Sequence, residues 1–190
     1  LFYGGKRVFG GAVGAYLASM HYRIFETAQG WMALGWTEIG ISRAILPGDT
    51  AQQLRQRLHG SEDADGHEDL VERIVAYFGG TPDGFEDVAL DLTGVPDFNL
   101  RCYAELRQLG WGETTTYGAI ARTLGDVNLS RAVGAAMGAN PIPLIVPCHR
   151  VLGSNGRSGG FSASGGAASK MRMLALEQAA SPEGQFSFGF

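Results

Sequence analysis

The residues best placed to do chemistry lie in Asn140-Pro141-Ile142-Pro143-Leu144-Ile145-Val146-Pro147-Cys148-His149-Arg150-Val151. Three prolines and an apolar run make a stiff mount that leaves the backbone around Cys148 little freedom. A cysteine reacts as its thiolate, and an ordinary thiol, with a pKa of about 8.5, is mostly protonated at neutral pH. A neighbouring group must therefore take the proton. His149 is adjacent, and on a bent backbone its imidazole can reach the sulfur directly or through a water. Glu177 is one of few acids in this half of the chain and lies on an expected C-terminal helix over 168–178, from which it could orient the imidazole and stabilise its charge. The competing reading is a buried cysteine beside a surface histidine, with no chemistry. Cys102, the other cysteine, recurs with Phe98, Leu106 and Leu109 at helical spacing and is expected to face a core.

The elements that must hold this segment are of two kinds. Short aromatic and β-branched stretches at 22–25 and 31–45, separated by the turn Ala28-Gln29-Gly30, predict an antiparallel hairpin or meander. Residues 49–58 look helical and 60–67 form an acidic loop. Residues 68–78 then place Leu70, Val71, Ile74, Val75 and Phe78 on one helical face before Gly79-Gly80-Thr81-Pro82 stops the helix. Val88, Leu90 and Leu92 alternate as in a half-buried strand. This first half is a small α+β unit with no catalytic constellation of its own, and Gly94-Val95-Pro96 reads as a linker.

The second half is mainly helical. Thr114-Thr115-Thr116 offers capping hydroxyls for a helix with Tyr117, Ile120, Ala121 and Leu124 on one face, ended by Gly125. Asn128 can cap a second helix with Leu129, Val133, Ala136 and Met137 as its inner stripe. Two short helices around a tight turn suggest a helix-turn-helix. Residues 1–19 begin without methionine, are rich in glycine and lack the apolar stretch of a secretory signal, so they are expected to be an extension ahead of a natural start at Met20. The expected boundaries are a non-native or unstructured extension over 1–19, an α+β domain over 20–95, a helical domain over 96–180 and a tail over 181–190.

A formal net charge of −4 argues against a polyanionic partner until the chain is divided. Residues 1–100 carry 7 basic and 14 acidic side chains, whereas residues 101–172 carry 8 basic and 3 acidic. Contact with a polyanion is therefore expected of the second half alone. No apolar run approaches the ~20 residues of a membrane span. Two cysteines make no disulfide framework, which suits a reducing, cytoplasmic setting.

Pro147-Cys148-His149-Arg150-Val151, preceded by Asn140-Pro141-Ile142-Pro143 and followed by Gly159-Gly160-Phe161-Ser162, resembles the O6-alkylguanine-DNA alkyltransferase family. The resemblance extends through Gly112-Glu113-Thr114-Thr115-Thr116-Tyr117-Gly118, Arg131-Ala132-Val133-Gly134-Ala135-Ala136-Met137 and residues 170–177, in the family's order and spacing. Residues 20–95 match more loosely. The resemblance implies an α+β protein, with a small ribonuclease H-like α/β domain followed by a mainly helical, DNA-binding domain with the helix-turn-helix. It implies direct-reversal repair: one transfer per molecule of an alkyl group from O6-alkylguanine, and from O4-alkylthymine, in double-stranded DNA to Cys148. It further implies no cofactor, no metal, no membrane partner, a monomer, and a cytoplasmic protein that joins the nucleoid when engaged on DNA.

By the same resemblance, Cys148 is the acceptor, His149 its base, and Glu177 the partner of the histidine in an ordered relay. Tyr117 turns the target phosphate, lines the guanine pocket and donates a proton towards N3 as charge develops. Arg131 fills the space left by an extruded base, with Thr116 and Ala132 beside it on the DNA, and Asn140 is the hinge that ties the helix end to the active-site loop. Met137, Pro143, Phe161 and Ser162 complete the pocket, and the backbone around Val151 reads the guanine edge. These roles suit the energetics, because O6 is out of reach inside a stacked duplex and flipping costs a few kcal/mol, least for a lesion that pairs poorly. The product is an alkyl thioether that no residue here could cleave.

Three features depart from the family's usual pattern. Phe161 stands where relatives often carry tyrosine, the stretch 162–169 is longer than the commonest form, and Gly138 and Ala139 leave the recognition-helix end without a basic side chain. Tolerance for substituents bulkier than methyl is expected. With no cysteine before Cys102, no zinc site is expected in the first half. Three rival readings remain open. A non-enzymatic, alkyltransferase-like lesion binder would replace the cysteine. A sequence-specific regulator would need a recognition helix less rich in Ala and Gly. A thiol hydrolase would leave the paired helices and Arg131 unexplained.

Overall fold

Alternation of large apolar and small or polar residues over 21–45 produces the meander that opens the fold. Strands β1 (His21–Thr27), β2 (Gly30–Trp36) and β3 (Ile41–Ile45) pair antiparallel in sequence order. A short parallel edge, β4 (Ser61–Glu62), lies beside β1 and makes the order β3-β2-β1-β4. The region over 60–67, read from sequence as loop alone, therefore contributes an edge, and two residues are too few to show a period of two. The computed structural model describes residues 20–58, 60–63, 65–154, 161–181 and 184–185. The expected extension over 1–19, Gly159, Gly160 and most of the expected tail lie outside the described residues.

Both faces of the sheet are covered. Helix α1 (Ala51–Arg57) starts from a Thr50–Gln53 capping box and buries Leu54 with Tyr22, Ala33 and Ile45 on one face. Helix α2 (Glu68–Phe78), with Glu68 and Asp69 favourably placed in its first turn, packs Leu70, Val71, Ile74, Tyr77 and Phe78 on the other side with Met32, Leu34 and Trp36. The expected apolar stripe needs one correction: Val75 is 39% exposed, while Tyr77 is fully buried. Steps of three and four from Leu70 and Ile74 lead to Tyr77 and Phe78, and Val75 falls off that face. Residues 88–92 are extended but pair through a single bridge, Ile41–Leu90, instead of forming the expected strand. The buried Asp91 there turns to accept a hydrogen bond from the Thr37 hydroxyl at 2.6 Å.

The second half supplies α3 (Asp97–Leu106), α4 (Tyr117–Thr123), α5 (Ser130–Gly138) and α6 (Gly166–Leu176). A two-residue parallel pair links β5 (Thr115–Thr116) to β6 (Val151–Leu152), and a terminal pair joins β7 (Ala180–Ser181) to β8 (Gly184–Gln185). Thr116 caps α4 by accepting the Ala119 N–H at 3.0 Å. The turn into α5 is capped by Asp126, which accepts the Asn128 N–H at 2.8 Å, so Asn128 is not the cap it was expected to be. The cap stands two residues earlier because a 3-10 turn, Val127–Leu129, precedes α5. Cys102, Tyr103, Leu106, Ile120, Val133 and Ala136 form the core beneath these helices. Cys102 thus faces a core, as its spacing predicts.

Residues 141–147 are wedged between the two halves. Ile142, Leu144 and Ile145 belong to the core under the sheet, whereas Val146 and Cys148 belong to the core under the helices. The Ala44 N–H on β3 donates to Pro141 O at 2.9 Å and fixes the wedge to the sheet edge. Among the described residues, no helix is long and apolar enough to cross a membrane.

Candidate active site

Cys148 opens a single 3-10 turn, Cys148–Arg150, directly after Pro147. The preceding loop is held by Asn140, whose amide donates to Val146 O at 2.9 Å while its Oδ1 accepts the Ile142 N–H at 3.0 Å. Leu144 sits at φ +83°, a left-handed conformation unfavourable for a side chain with a Cβ and held here by complete burial. This loop explains why the sulfur is presented at one place: its backbone has no slack. The Asn140 side chain also favours the thiolate form of Cys148.

His149 is fully buried, which rules out the surface-histidine reading. Its Nε2 meets Glu177 Oε1 at 2.9 Å. An ionised carboxylate only accepts, so Nε2 carries the hydrogen and Nδ1 the lone pair. Nδ1 is buried and has no hydrogen-bond partner among the described residues, so it is ready to receive a proton. Burial lowers the basicity of the imidazole, with Glu177 opposing that effect. It therefore stands neutral and competent as a base.

Glu177 is the C-cap of α6, one residue beyond the helix, which ends two residues sooner than expected. Arg150 grips its carboxylate with two donors, Nε to Oε2 at 2.9 Å and Nη2 to Oε1 at 2.8 Å, and spends Nη1 on Leu109 O at 2.6 Å. Burial alone would raise the Glu177 pKa, but hydrogen bonds from His149 and Arg150 and their charges hold it at about 2. Burial likewise pushes the Cys148 thiol up, opposed by the Asn140 hydrogen bond and the positive charge of Lys170. A thiol of this kind is not a standing thiolate and must lose its proton as it reacts.

Lys170 is the unexpected member. Its side chain is fully buried on α6, Nζ donates to Val151 O at 2.5 Å, and burial brings its pKa down to about 8. Among the described residues, it is the full charge that favours the thiolate. Lys170→Met should therefore slow alkylation of Cys148 on the order of a hundredfold, the usual cost of removing one preorganised electrostatic donor. Single-turnover reaction with a thiol electrophile across pH checks this, with the descent of the variant's rate displaced to higher pH. Unchanged rates at every pH would exclude any influence of the ammonium on the sulfur.

Two cavities meet at Cys148. One, of about 340 Å³, lies under α4 and α5 and is lined by Tyr117, Gly134, Met137, Gly138, Cys148, Phe161 and Ser162. The other, of about 240 Å³, opens towards β3 and α1 and takes in Arg43, Leu46, Arg57, Asn140, Pro143 and Ser164. The structure thus brings together Cys148, Tyr117, Met137, Phe161 and Ser162, with Asn140 and Pro143 on the second side. Val151 lines neither cavity: it is fully buried, and its carbonyl accepts from Lys170 Nζ while keeping a second lone pair free to accept. Arg131 and Ala132 are exposed on α5 outside both cavities, and the Thr116 hydroxyl is committed to its helix cap.

Sequence reasoning gave no role to Arg150, Lys170 or Tyr77. The Tyr77 hydroxyl donates to Glu177 Oε1 at 2.5 Å, so the first half of the chain does contribute to this constellation, contrary to expectation. One signal was available, since a tyrosine on an apolar helix face must find a partner for its hydroxyl.

A buried thiol with a histidine–carboxylate relay, open to a cavity under two short helices, defines a protein built around a cysteine nucleophile. The model for the DNA binding domain of 6-O-methylguanine DNA methyltransferase matches residues 97–179. A methylated-DNA–protein-cysteine methyltransferase of Mycobacterium tuberculosis is 36% identical over 163 residues, covering 86% of this chain and 95% of that protein. The crystal structure of Mycobacterium tuberculosis OGT in complex with DNA aligns with a TM-score of 0.70 at 36% identity, over 83% of this chain and 92% of that one. A DNA base-flipping protein of Thermus thermophilus is 45% identical over 109 residues, 57% of this chain and 71% of that protein. The chain belongs to the methylated-DNA–protein-cysteine methyltransferase family.

Proposed function

We propose that this protein repairs duplex DNA by moving an alkyl group from O6 of guanine to the Cys148 sulfur, once per molecule. The observation that carries the reading is the buried Cys148 beside a neutral His149 whose Nε2–H is fixed on Glu177. His149 Nδ1 takes the thiol proton through a bridging water, the sulfur attacks the alkyl carbon in line, an S–C bond forms and the C–O6 bond breaks. The departing guanine takes one proton at N3 from the Tyr117 hydroxyl, and the balance closes when solvent returns a proton to the tyrosinate and accepts the one held by the imidazolium. No cofactor enters this balance.

Helices α4 and α5 act as the helix-turn-helix on DNA, with the part over 96–180 facing the duplex and the part over 20–95 bracing it. The flipped guanine occupies the cavity lined by Tyr117, Met137, Phe161 and Ser162, and the second cavity leaves room for substituents larger than methyl beside Pro143. Asn140 keeps the loop in place beneath the base. O4-alkylthymine is a second substrate of the same pocket, and a single copy of the chain suffices. The non-enzymatic reading is less favoured because a lesion binder has no use for Cys148 or for the groups arrayed behind it.

Incubation with duplex carrying O6-[methyl-14C]guanine tests the proposal. The label should move to the Cys148 peptide in a yield approaching one per protein, and label left on DNA, or found on another residue, would refute it. Arg131, exposed on α5, should matter only where a base must leave a stack. Arg131→Ala is expected to slow transfer from duplex by about tenfold to a hundredfold, as loss of part of the few kcal/mol of flipping assistance predicts. Transfer from the free O6-alkylated base should be unchanged, and equal slowing on both substrates would remove Arg131 from the flipping step.

A further inference from the structure

Glu177 has a donor that arrives from the other half of the chain. The Tyr77 ring is fully buried on α2, edge-on to Phe78 and Trp111 at centroid distances of 5.3 and 5.1 Å. Its hydroxyl donates to Glu177 Oε1 at 2.5 Å and lies 3.5 Å from His149 Nε2. Oε1 thus accepts from three donors on two segments: the Tyr77 hydroxyl on α2, and the His149 Nε2–H and Arg150 Nη2 in the turn after Pro147. A phenylalanine would fill the same apolar space without a hydroxyl to desolvate, so packing alone does not account for a phenol here.

We infer that Tyr77 is a positioning residue for the transfer reaction: its hydroxyl holds the Glu177 carboxylate in place and disperses its charge, thereby setting how strongly Glu177 draws on the His149 Nε2–H. The inference rests on the reading of Cys148 as acceptor and His149 as its base. Every titratable or charged group facing His149 is then accounted for. Glu177 at the end of α6 favours the imidazolium, Arg150 in the same turn and Lys170 on α6 disfavour it, Cys148 precedes it, and Tyr77 reaches it from α2. Removing the phenol hydroxyl leaves more of the carboxylate's charge to the imidazole and stabilises the imidazolium. A histidine already protonated cannot take the thiol proton, so the acid limb of the rate profile moves to higher pH.

The test is single-turnover transfer from duplex O6-methylguanine at saturating protein, from about pH 5.5 to 9, for wild type and Tyr77→Phe. The acid limb of the variant should lie about one pH unit higher, giving rates about tenfold lower on the limb and within about twofold on the plateau. Site-specific 3-fluorotyrosine at position 77, a stronger donor that keeps the shape, should move the limb the other way and stays informative if Tyr77→Phe folds poorly. A limb that does not move in either protein overturns the inference, whatever happens to the plateau. A uniform loss of rate that tracks thermal unfolding makes Tyr77 a packing residue only and overturns it equally. Peptide mass spectrometry separates the two levels, because an alkyl group on a residue other than Cys148 would sink the acceptor reading itself.

Discussion

Cys148→Ala should bind duplex DNA containing O6-methylguanine with an affinity close to wild type and transfer no alkyl group at all. Among the described residues that line the cavity under α4 and α5, the sulfur is the strongest nucleophile, and the Tyr117 and Ser162 hydroxyls are poor substitutes for it. On the proposed reading, the contacts that hold DNA lie on the exposed surface of α5 and at the start of α4 and do not involve the thiol. Removing one buried sulfur from a packed turn costs about 1 kcal/mol or less, so the variant should melt within a few degrees of wild type. Gel-shift titration and label transfer in parallel decide the matter. Residual transfer in the variant, or loss of binding alongside loss of transfer, would show that the reacting group lies elsewhere.

Glu177→Ala should be the most damaging substitution to the fold. It leaves the Arg150 guanidinium in the interior, 2% exposed, without its counter-charge, and it removes the acceptor for Tyr77 and His149 at once. Breaking a buried pair in this way costs about 3–5 kcal/mol. Glu177→Gln keeps the shape and should fold better, yet transfer should fall about 10²- to 10⁴-fold because the imidazole loses its orienting anion. Chemical denaturation and single-turnover kinetics together separate the two effects. If Glu177→Gln transferred at the wild-type rate, the relay would be dispensable.

The same carboxylate shapes the response to acid. Its folded pKa, about 2, lies below the ordinary value of 4.5, so the unfolded chain binds the proton more readily. The stabilisation is therefore complete above about pH 4.5 and is lost as pH falls towards 2, amounting to roughly 3 kcal/mol for a shift of this size. Wild type should lose that stability across this window, and Glu177→Gln should not.

Much of the site was legible because its parts are local. The motif 147–151, the threonine cap before Tyr117 and the loop from Asn140 are short-range patterns whose chemistry can be read directly. Helix α2 was legible in its bounds, set by the glycines after it, whereas its buried face was misread at Val75 and Tyr77. What escaped was set by distance. Tyr77 meets Glu177 across 100 residues, and no periodicity announces that contact. Lys170 reads as a surface residue until its ammonium is found on Val151 O. Edge strand β4 and the Asp126 cap were missed because each rests on one or two residues, where a neighbouring candidate reads equally well.

The wedge over 141–147 makes the recognisable DNA-binding segment a poor stand-in for the whole. A fragment excised at residue 97 would bring the sulfur, imidazole, carboxylate and guanidinium, yet leave the phenol behind. It would also strip Ile142, Leu144, Ile145 and Met173 of the sheet that keeps them dry. Such a piece could still sense a lesion, but it would mend one slowly. The strand-rich half is thus the anvil against which the cysteine is held, and shortening the chain from that side would blunt repair before it abolished recognition.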